Sequence, residues 1–279
     1  MSLLSNFIGG LWRSLRGRGA PGADEFPVMR QKLLKRAHAG APTAAHADIL
    51  FGDLRIGGWP LNGLVARCLA ESGAAVPPLK ALHRPLASYL LARYYLHALR
   101  LPGARAECGV FMGTSALLLC RAARSLDPAH DGSGLHLVDS FQGLSEPGLE
   151  DRFTLPAGGG GAERRAMPGG SFAAGQAQVR GALGAFPGVA YHQGWIPAVL
   201  RELPEQAWSF VHVDVDLYEP TFGCLAYFYP RLCRGGVIVC DDYGAPAFPG
   251  AARAWNRYCG EAGLPFVMLD TGQAVILKD

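Results

Sequence analysis

From residue 104 onward, short apolar runs alternate with longer stretches whose apolar residues recur every three or four positions. AECGV (106–110), LHLVD (135–139), GVAYHQ (188–193), SFVHVDVD (209–216) and GGVIVCDD (235–242) read as strands. Between and after them, TSALLLCRAARSL (114–126), SFAAGQAQVRGAL (171–183), PAVLREL (197–203), TFGCLAYFYPRL (221–232) and GAARAWNRYCGEAG (250–263) read as helices. Such βα repetition predicts a doubly wound, parallel sheet with helices on both faces. The end of the chain breaks the pattern. PFVMLD and AVILKD, joined by the Gly-containing turn TGQ, read as an antiparallel hairpin. The expected fold is therefore α/β, a mostly parallel seven-stranded sheet of Rossmann-like type closed by that hairpin.

The preceding hundred residues carry a different pattern. Residues 61–73 and 83–99 read as helices, the second with a dense aromatic face. Residues 19–50, rich in Ala, Gly and Pro, read as a linker or a loose helical cap. In residues 1–18, Leu4, Phe7, Ile8, Leu11, Trp12 and Leu15 recur at helical spacing beside Arg13, Arg16 and Arg18, although Gly9 and Gly10 weaken a helix there. This segment suits an acidic membrane surface, the protein's own core or a second copy of the chain, and the sequence leaves these open. The expected division is an N-terminal helical extension over 1–100 and a single α/β domain over 101–279.

Composition narrows the classes. A formal net charge of +3 is too small to make nucleic acid the main partner. No apolar run reaches the roughly 20 residues of a membrane-spanning helix. The first apolar stretch precedes its arginines, the reverse of a secretory signal. Seven scattered cysteines without a CxxC pair suit reduced thiols and a cytoplasmic protein.

Three clusters carry candidate chemistry. The first, Glu107 to Ser115, lies where a strand turns into a helix. Gly109 and Gly113 would let the backbone approach a cofactor, and the helix start at Thr114 and Ser115 offers free N–H groups. The middle glycine of a dinucleotide fingerprint is missing, and an acidic residue precedes the turn. A carboxylate there suits the amino and sulfonium groups of S-adenosylmethionine better than a pyrophosphate. A plain structural glycine turn is the competing reading. The second cluster is Asp139-Ser140, ending the second strand, where an acid would accept ribose hydroxyls in either nucleoside cofactor. Gln193, Gly194 and Trp195, after the third strand, are candidate adenine neighbours, with simple packing as the alternative for Trp195.

The third cluster is the most specific. Asp214 and Asp216 end the fourth strand and Asp241 and Asp242 the fifth, and neither motif contains Arg or Lys. Ligands of open α/β sheets gather at the carboxyl ends of the strands, so these carboxylates should converge beside the cofactor crevice. A hard divalent cation would compensate their charge. Helix capping and an acidic rim form the alternative. Three or all four of Asp214, Asp216, Asp241 and Asp242 are the candidate metal ligands, with Asp216 the reserve; Asp214 is also a candidate cofactor contact, and Asp214 or Asp216 is the expected proton acceptor. His212 shares their strand face and reads as a core histidine. The segment Leu144–Gly170, with Glu146, Arg152, Arg164 and Arg165, is a candidate cover over the acceptor, and Gly158–Gly161 a mobile loop.

The blocks ECGVFMGTSA, VDSFQGL, YHQGWIP, FVHVDVDLYEPT and FYPRLCRGGVIVCDDYG, in this order, resemble the macrocin O-methyltransferase family. That resemblance implies a class I methyltransferase fold, S-adenosylmethionine as cofactor, and magnesium bound by aspartates matching Asp214, Asp241 and Asp242. It implies a small-molecule acceptor whose hydroxyl, on a sugar or another diol, receives the methyl group. The chain departs from the family at Phe111-Met112, where Trp-Arg is common. A nicotinamide-dependent oxidoreductase and a non-catalytic nucleoside-binding scaffold are the other classes the motifs admit. The glycine spacing and terminal hairpin disfavour the first.

Overall fold

The structure is a computed structural model. It describes residues 55–56, 59–73, 83–156 and 162–279. The amphipathic segment 1–18, the stretch 19–50 and Gly158–Gly161 lie outside the described residues. Everything described belongs to one compact unit within residues 42–279.

Two short strands, β1 (Arg55–Ile56) and β2 (Trp59–Pro60), pair antiparallel ahead of helices α1 (Leu61–Ser72) and α2 (His83–Ala98). The alternating region follows as β3 (Ala104–Cys108), α3 (Thr114–Arg124) and β4 (Leu135–Asp139). Next come a small hairpin, β5 (Phe153–Pro156) with β6 (Ala162–Arg165), then α4 (Gln176–Ala182) and β7 (Ala190–Gln193). After a 3₁₀ turn at Ala198–Glu202, the chain continues through β8 (Trp208–Val213), α5 (Tyr218–Arg231), β9 (Leu232–Cys240) and α6 (Pro249–Ala262). Strands β10 (Val267–Met268) and β11 (Ala274–Leu277) end it.

The main sheet has seven strands in the order β10-β11-β9-β8-β3-β4-β7. From β9 to β7 all neighbours are parallel, whereas β11 runs antiparallel to β9 and β10 antiparallel to β11. The mostly parallel seven-stranded sheet with a terminal hairpin is thus the architecture the apolar pattern called for. Strand alternation sends side chains to two separate cores. Leu135 and Leu137 of β4, with Val237 and Val239 of β9, face one core that also holds Leu64, Leu91 and Tyr95 of α1 and α2. Ala106, Val211, Val213, Ile238 and Cys240 face the other, under Phe228 and Trp255 of α5 and α6. Trp208 joins this second core although it shares parity with Phe210 of the first; the register shifts between them, and that irregularity turns one residue over.

Three elements differ from the pattern reading. The helix expected from Ser171 starts only at Gln176, because Phe172 has φ 61° and Gly175 is extended. The helix expected at 197–203 is a short 3₁₀ turn. The cover segment contains a two-stranded ribbon, whose polar, Gly-rich sequence hides any strand alternation. All seven cysteines are free. Among the described residues, no helix is long and apolar enough to cross a membrane.

Candidate active site

Strand β3 pairs with β4 on one side and with β8 on the other, so the chain's two directions of winding part there. Open α/β sheets form a crevice at such a point, beyond the carboxyl ends of the strands. A cleft of about 450 Å³ lies here. Ten of the candidate residues line it: Gly109, Thr114, Ser115, Asp139, Ser140, Trp195, Asp214, Asp216, Asp241 and Asp242.

The turn after β3 is built around two contacts. Gly109 has φ 81°, and a Cβ there would sit 1.9 Å from the Asp214 carbonyl oxygen. The glycine therefore lets the β8 loop cross close over β3, where Asp214 N–H donates to Cys108 O at 2.9 Å. Asp139 fixes the same turn from the β4 side. Its Oδ2 accepts from Val110 N–H at 2.6 Å and Phe111 N–H at 3.3 Å, and its Oδ1 from Phe141 N–H at 2.7 Å. Thr114, at the start of α3, is held by a 2.6 Å hydrogen bond between its hydroxyl and that of Ser72, which ends α1.

Four candidates stand outside the cleft lining. Glu107 is only 1% exposed, and its Oε1 lies 2.9 Å from His212 Nδ1. Its carboxylate meets His212 beneath the cleft and is not among the lining residues. Gly113 precedes α3 with φ 81°, and a side chain there would meet Val179. Gly194 backs onto Val199, and Gln193 Nε2 donates to Ser140 O at 3.5 Å. These three shape neighbouring backbone.

Strand β8 ends at Val213, so Asp214 and Asp216 sit on the loop before α5 rather than on the strand. Asp216 adopts φ 60°, and its N–H donates to Asp242 Oδ2 at 3.2 Å. Asp241 Oδ1 accepts from Gln273 Nε2 at 2.8 Å. Ligand atoms of His212, Asp214 and Asp241 lie within 4.8 Å of one another. Asp242, buried and turned toward the Asp216 backbone, lines the cleft but is not part of that group.

Neither acidic motif contains Arg or Lys; the buried ionisable side chain facing Asp241 is a histidine. His212 is fully buried with Nδ1 on Glu107 and Nε2 3.6 Å from Asp241 Oδ1, an ion-pair rather than a hydrogen-bond distance. Burial pushes its pKa down, yet the Asp241 and Glu107 carboxylates outweigh that and hold it well above the usual histidine value. The His212 ring thus bridges the ends of β3 and β9. Its partner Glu107 is its register neighbour in β3, a pairing that sequence spacing alone could not show.

The cleft also contains apolar residues absent from the candidate set, including Phe111, Leu144, Met167, Phe172 and Phe248. Leu144 and Met167 belong to the segment expected to cover the acceptor.

A family model described as macrocin-O-methyltransferase (TylF) matches residues 94–275. The chain is 29% identical over 148 residues to the demethyldecarbamoylnovobiocin O-methyltransferase of Streptomyces niveus, covering 51% of this chain and 53% of that protein. It is 28% identical over 173 residues to a tetracenomycin-C 4'-O-methyltransferase of Streptomyces olivaceus, named as acting on a dimethoxyrhamnosyl derivative, covering 58% of this chain and 60% of that one. The chain thus spans a little over half the length of these curated relatives. Among solved structures, a calicheamicin methyltransferase superposes with a TM-score of 0.58 at 21% identity, over 77% of this chain and 91% of its own, a likeness of fold.

Proposed function

Because the chain belongs to the macrocin-O-methyltransferase family, we propose that it transfers a methyl group from S-adenosylmethionine to a hydroxyl of a small molecule, most readily one of two adjacent hydroxyls on a sugar. The observation that carries this reading is that one cleft holds both halves of the chemistry. The glycine turn, the α3 start and Asp139 lie in it together with Asp214, Asp216, Asp241 and Asp242. Both curated relatives are named O-methyltransferases, and one of the names contains a rhamnosyl group.

Gly109, Thr114, Ser115, Asp139, Ser140 and Trp195 would hold the cofactor, which supplies the methyl group. The residues present also fit a divalent cation. Asp214 and Asp241 bring oxygen donors together, and Asp242 lies in the same cleft. When bound there, magnesium supplies positive charge that acidifies a neighbouring hydroxyl. Asp216, in the same cleft, takes the role of accepting the hydroxyl proton in this reading. His212 orients Asp241 from below through its ion pair and takes no proton from the acceptor, because it is buried away from the cleft. The fold's contribution is orientation of the two reactants within the cleft.

The test uses purified protein, labelled S-adenosylmethionine, magnesium and methyl α-L-rhamnoside. S-adenosylhomocysteine should stabilise the protein by roughly 2–4 kcal/mol at saturating concentration, and NAD should not. EDTA should abolish methylation and magnesium restore it. Asp241→Asn should lose turnover far more than stability. A thermal shift with NAD and none with S-adenosylhomocysteine would overturn the reading; full turnover in EDTA would remove the metal from it.

A further inference from the structure

Asp216 stands on a strained turn. It has φ 60°, and Leu217 N–H donates to Val215 O across it. A three-residue turn with positive φ at its centre is the rare, strained form, and such strain persists only where surrounding contacts hold it. Three contacts do so here. Asp216 N–H donates to Asp242 Oδ2 at 3.2 Å, on the loop after β9. Leu217 is buried in a small apolar cluster with Leu144 and Phe248, packed by Met167. Tyr218 N–H, at the start of α5, donates to Asp151 Oδ1 at 2.7 Å.

Asp151 is itself seated from several sides. It is buried, and its Oδ2 accepts from Gly148 N–H at 2.8 Å. Helix α6 makes room for its carboxylate: a Cβ on Gly250 would fall 1.9 Å from Asp151 Oδ1 and 2.8 Å from Tyr218 N. Two turns of backbone are held by the same helix, since Arg253 Nη1 donates to the carbonyl oxygens on either side of Asp151, that of Glu150 and, at 3.5 Å, that of Arg152.

The first N–H groups of a helix need acceptors, and a Ser, Thr, Asp or Asn just before the helix commonly supplies one. At α5 that position is Leu217, which makes no side-chain cap and is committed to the apolar cluster. The cap comes instead from Asp151, 67 residues earlier in the chain. Asp151 lies on the segment that also gives Leu144 and Ser145 to the cleft lining. One carboxylate therefore ties that wall of the cleft to the turn carrying Asp216. We propose that Asp151 is a positioning residue for methyl transfer: seated by α6, it holds the start of α5 and so keeps Asp216 in the turn that presents its carboxylate to the cleft. This inference rests on the methyl-transfer reading, in which Asp216 accepts the hydroxyl proton.

Residue-resolved amide hydrogen exchange on the full chain tests it, together with turnover of methyl α-L-rhamnoside by S-adenosylmethionine and magnesium. In Asp151→Ala the Tyr218 amide loses its acceptor under any reading. The proposal requires the Asp216 and Leu217 amides to exchange at least about tenfold faster as well, over and above any change in the β9 amides, which report global unfolding. The kcat per folded molecule should fall at least about tenfold, with KM for S-adenosylmethionine within about twofold, since the turn after β3 and Asp139 are untouched. Asp151→Asn keeps an oxygen for Tyr218 N–H and should restore most of both. Arg253→Ala, whose lost hydrogen bonds go to the backbone around Asp151, should move the same amides in the same direction by about threefold. Loss of protection confined to Tyr218, or a kcat per folded molecule within about twofold of the parent in Asp151→Ala, would reduce Asp151 to a helix cap and overturn the proposal. If Asp151→Ala does not fold, Arg253→Ala decides, and unchanged exchange with unchanged kcat there overturns it. Exchange that responds as expected in a protein that methylates nothing supports the role of Asp151 in the turn and strikes instead at methyl transfer itself.

Discussion

Gly109→Ala is the sharpest perturbation the structure offers, because two costs coincide there and a second glycine separates them. At Gly170, φ is 77° and an added Cβ would meet nothing within 4 Å. Alanine at that position bears only the left-handed backbone penalty of roughly 1–2 kcal/mol, partly offset by about 0.4–1 kcal/mol from a stiffer unfolded chain. The expected net loss is about 1 kcal/mol. At Gly109, φ is 81°, so the same penalty applies, but the Cβ would also fall 1.9 Å from the Asp214 carbonyl oxygen. That overlap is with backbone and cannot be relieved by a rotamer. The β8 loop must lift away, which breaks the Asp214 N–H bond to Cys108 O, worth about 1 kcal/mol, and adds overpacking strain of about 1–3 kcal/mol. The total expected is about 3–5 kcal/mol. Urea denaturation of both variants measures the difference directly. Since Asp214 moves with its carbonyl, Gly109→Ala should also lose methylation at temperatures where it is still folded. If the two variants lie within about 0.5 kcal/mol of each other, the close crossing of β3 by the β8 loop is not what requires Gly109.

Asp139→Ala removes the acceptor for three backbone N–H groups of the cleft turns; cofactor affinity should fall at least tenfold by calorimetry, with Asp139→Asn intermediate. Asp151 is buried, and its carboxylate accepts from Tyr218 N–H at the start of α5 (2.7 Å) and from Gly148 N–H (2.8 Å). Asp151→Ala should therefore cost about 2–4 kcal/mol in urea denaturation, and Asp151→Asn less. Burial, then the neighbouring His192 and Arg105, lower the His136 pKa from its usual 6.5 to about 4. The folded state thus prefers neutral His136, whose contribution is complete above pH 6.5 and is lost as pH falls from 6.5 toward 4. After discounting for its partial exposure this amounts to about 1–2 kcal/mol, and His136→Asn should flatten that part of a melting temperature–pH curve; an unchanged slope would show that other groups carry it.

The sheet was legible because each strand's apolar run is fixed by burial on two faces, and the helices between the strands have ordinary spacing. Helices α1 and α2 were legible for the same reason, and their side chains enter the core beside β4 and β9. The segment 171–175 was not, since its composition suits a helix, whereas Phe172 adopts φ 61° and packs against Phe111 and Phe248, contacts distant in sequence. The four aspartates were legible as strand-end residues, and all four line one cleft.

What sequence reasoning lacked at the site was the partner across the sheet. Glu107 looks like a cofactor ligand when read along the chain, because it precedes a glycine turn. Read across the sheet, it sits opposite His212, and alternation turns both side chains to the same face. Two buried groups in that register must satisfy each other, since neither reaches water. In this sheet Glu107, one residue before the end of β3, meets its cross-strand neighbour, while Asp214 and Asp216, beyond the end of β8, line the cleft. Glu107→Gln should therefore disturb His212 and the placement of Asp241 before it disturbs cofactor affinity.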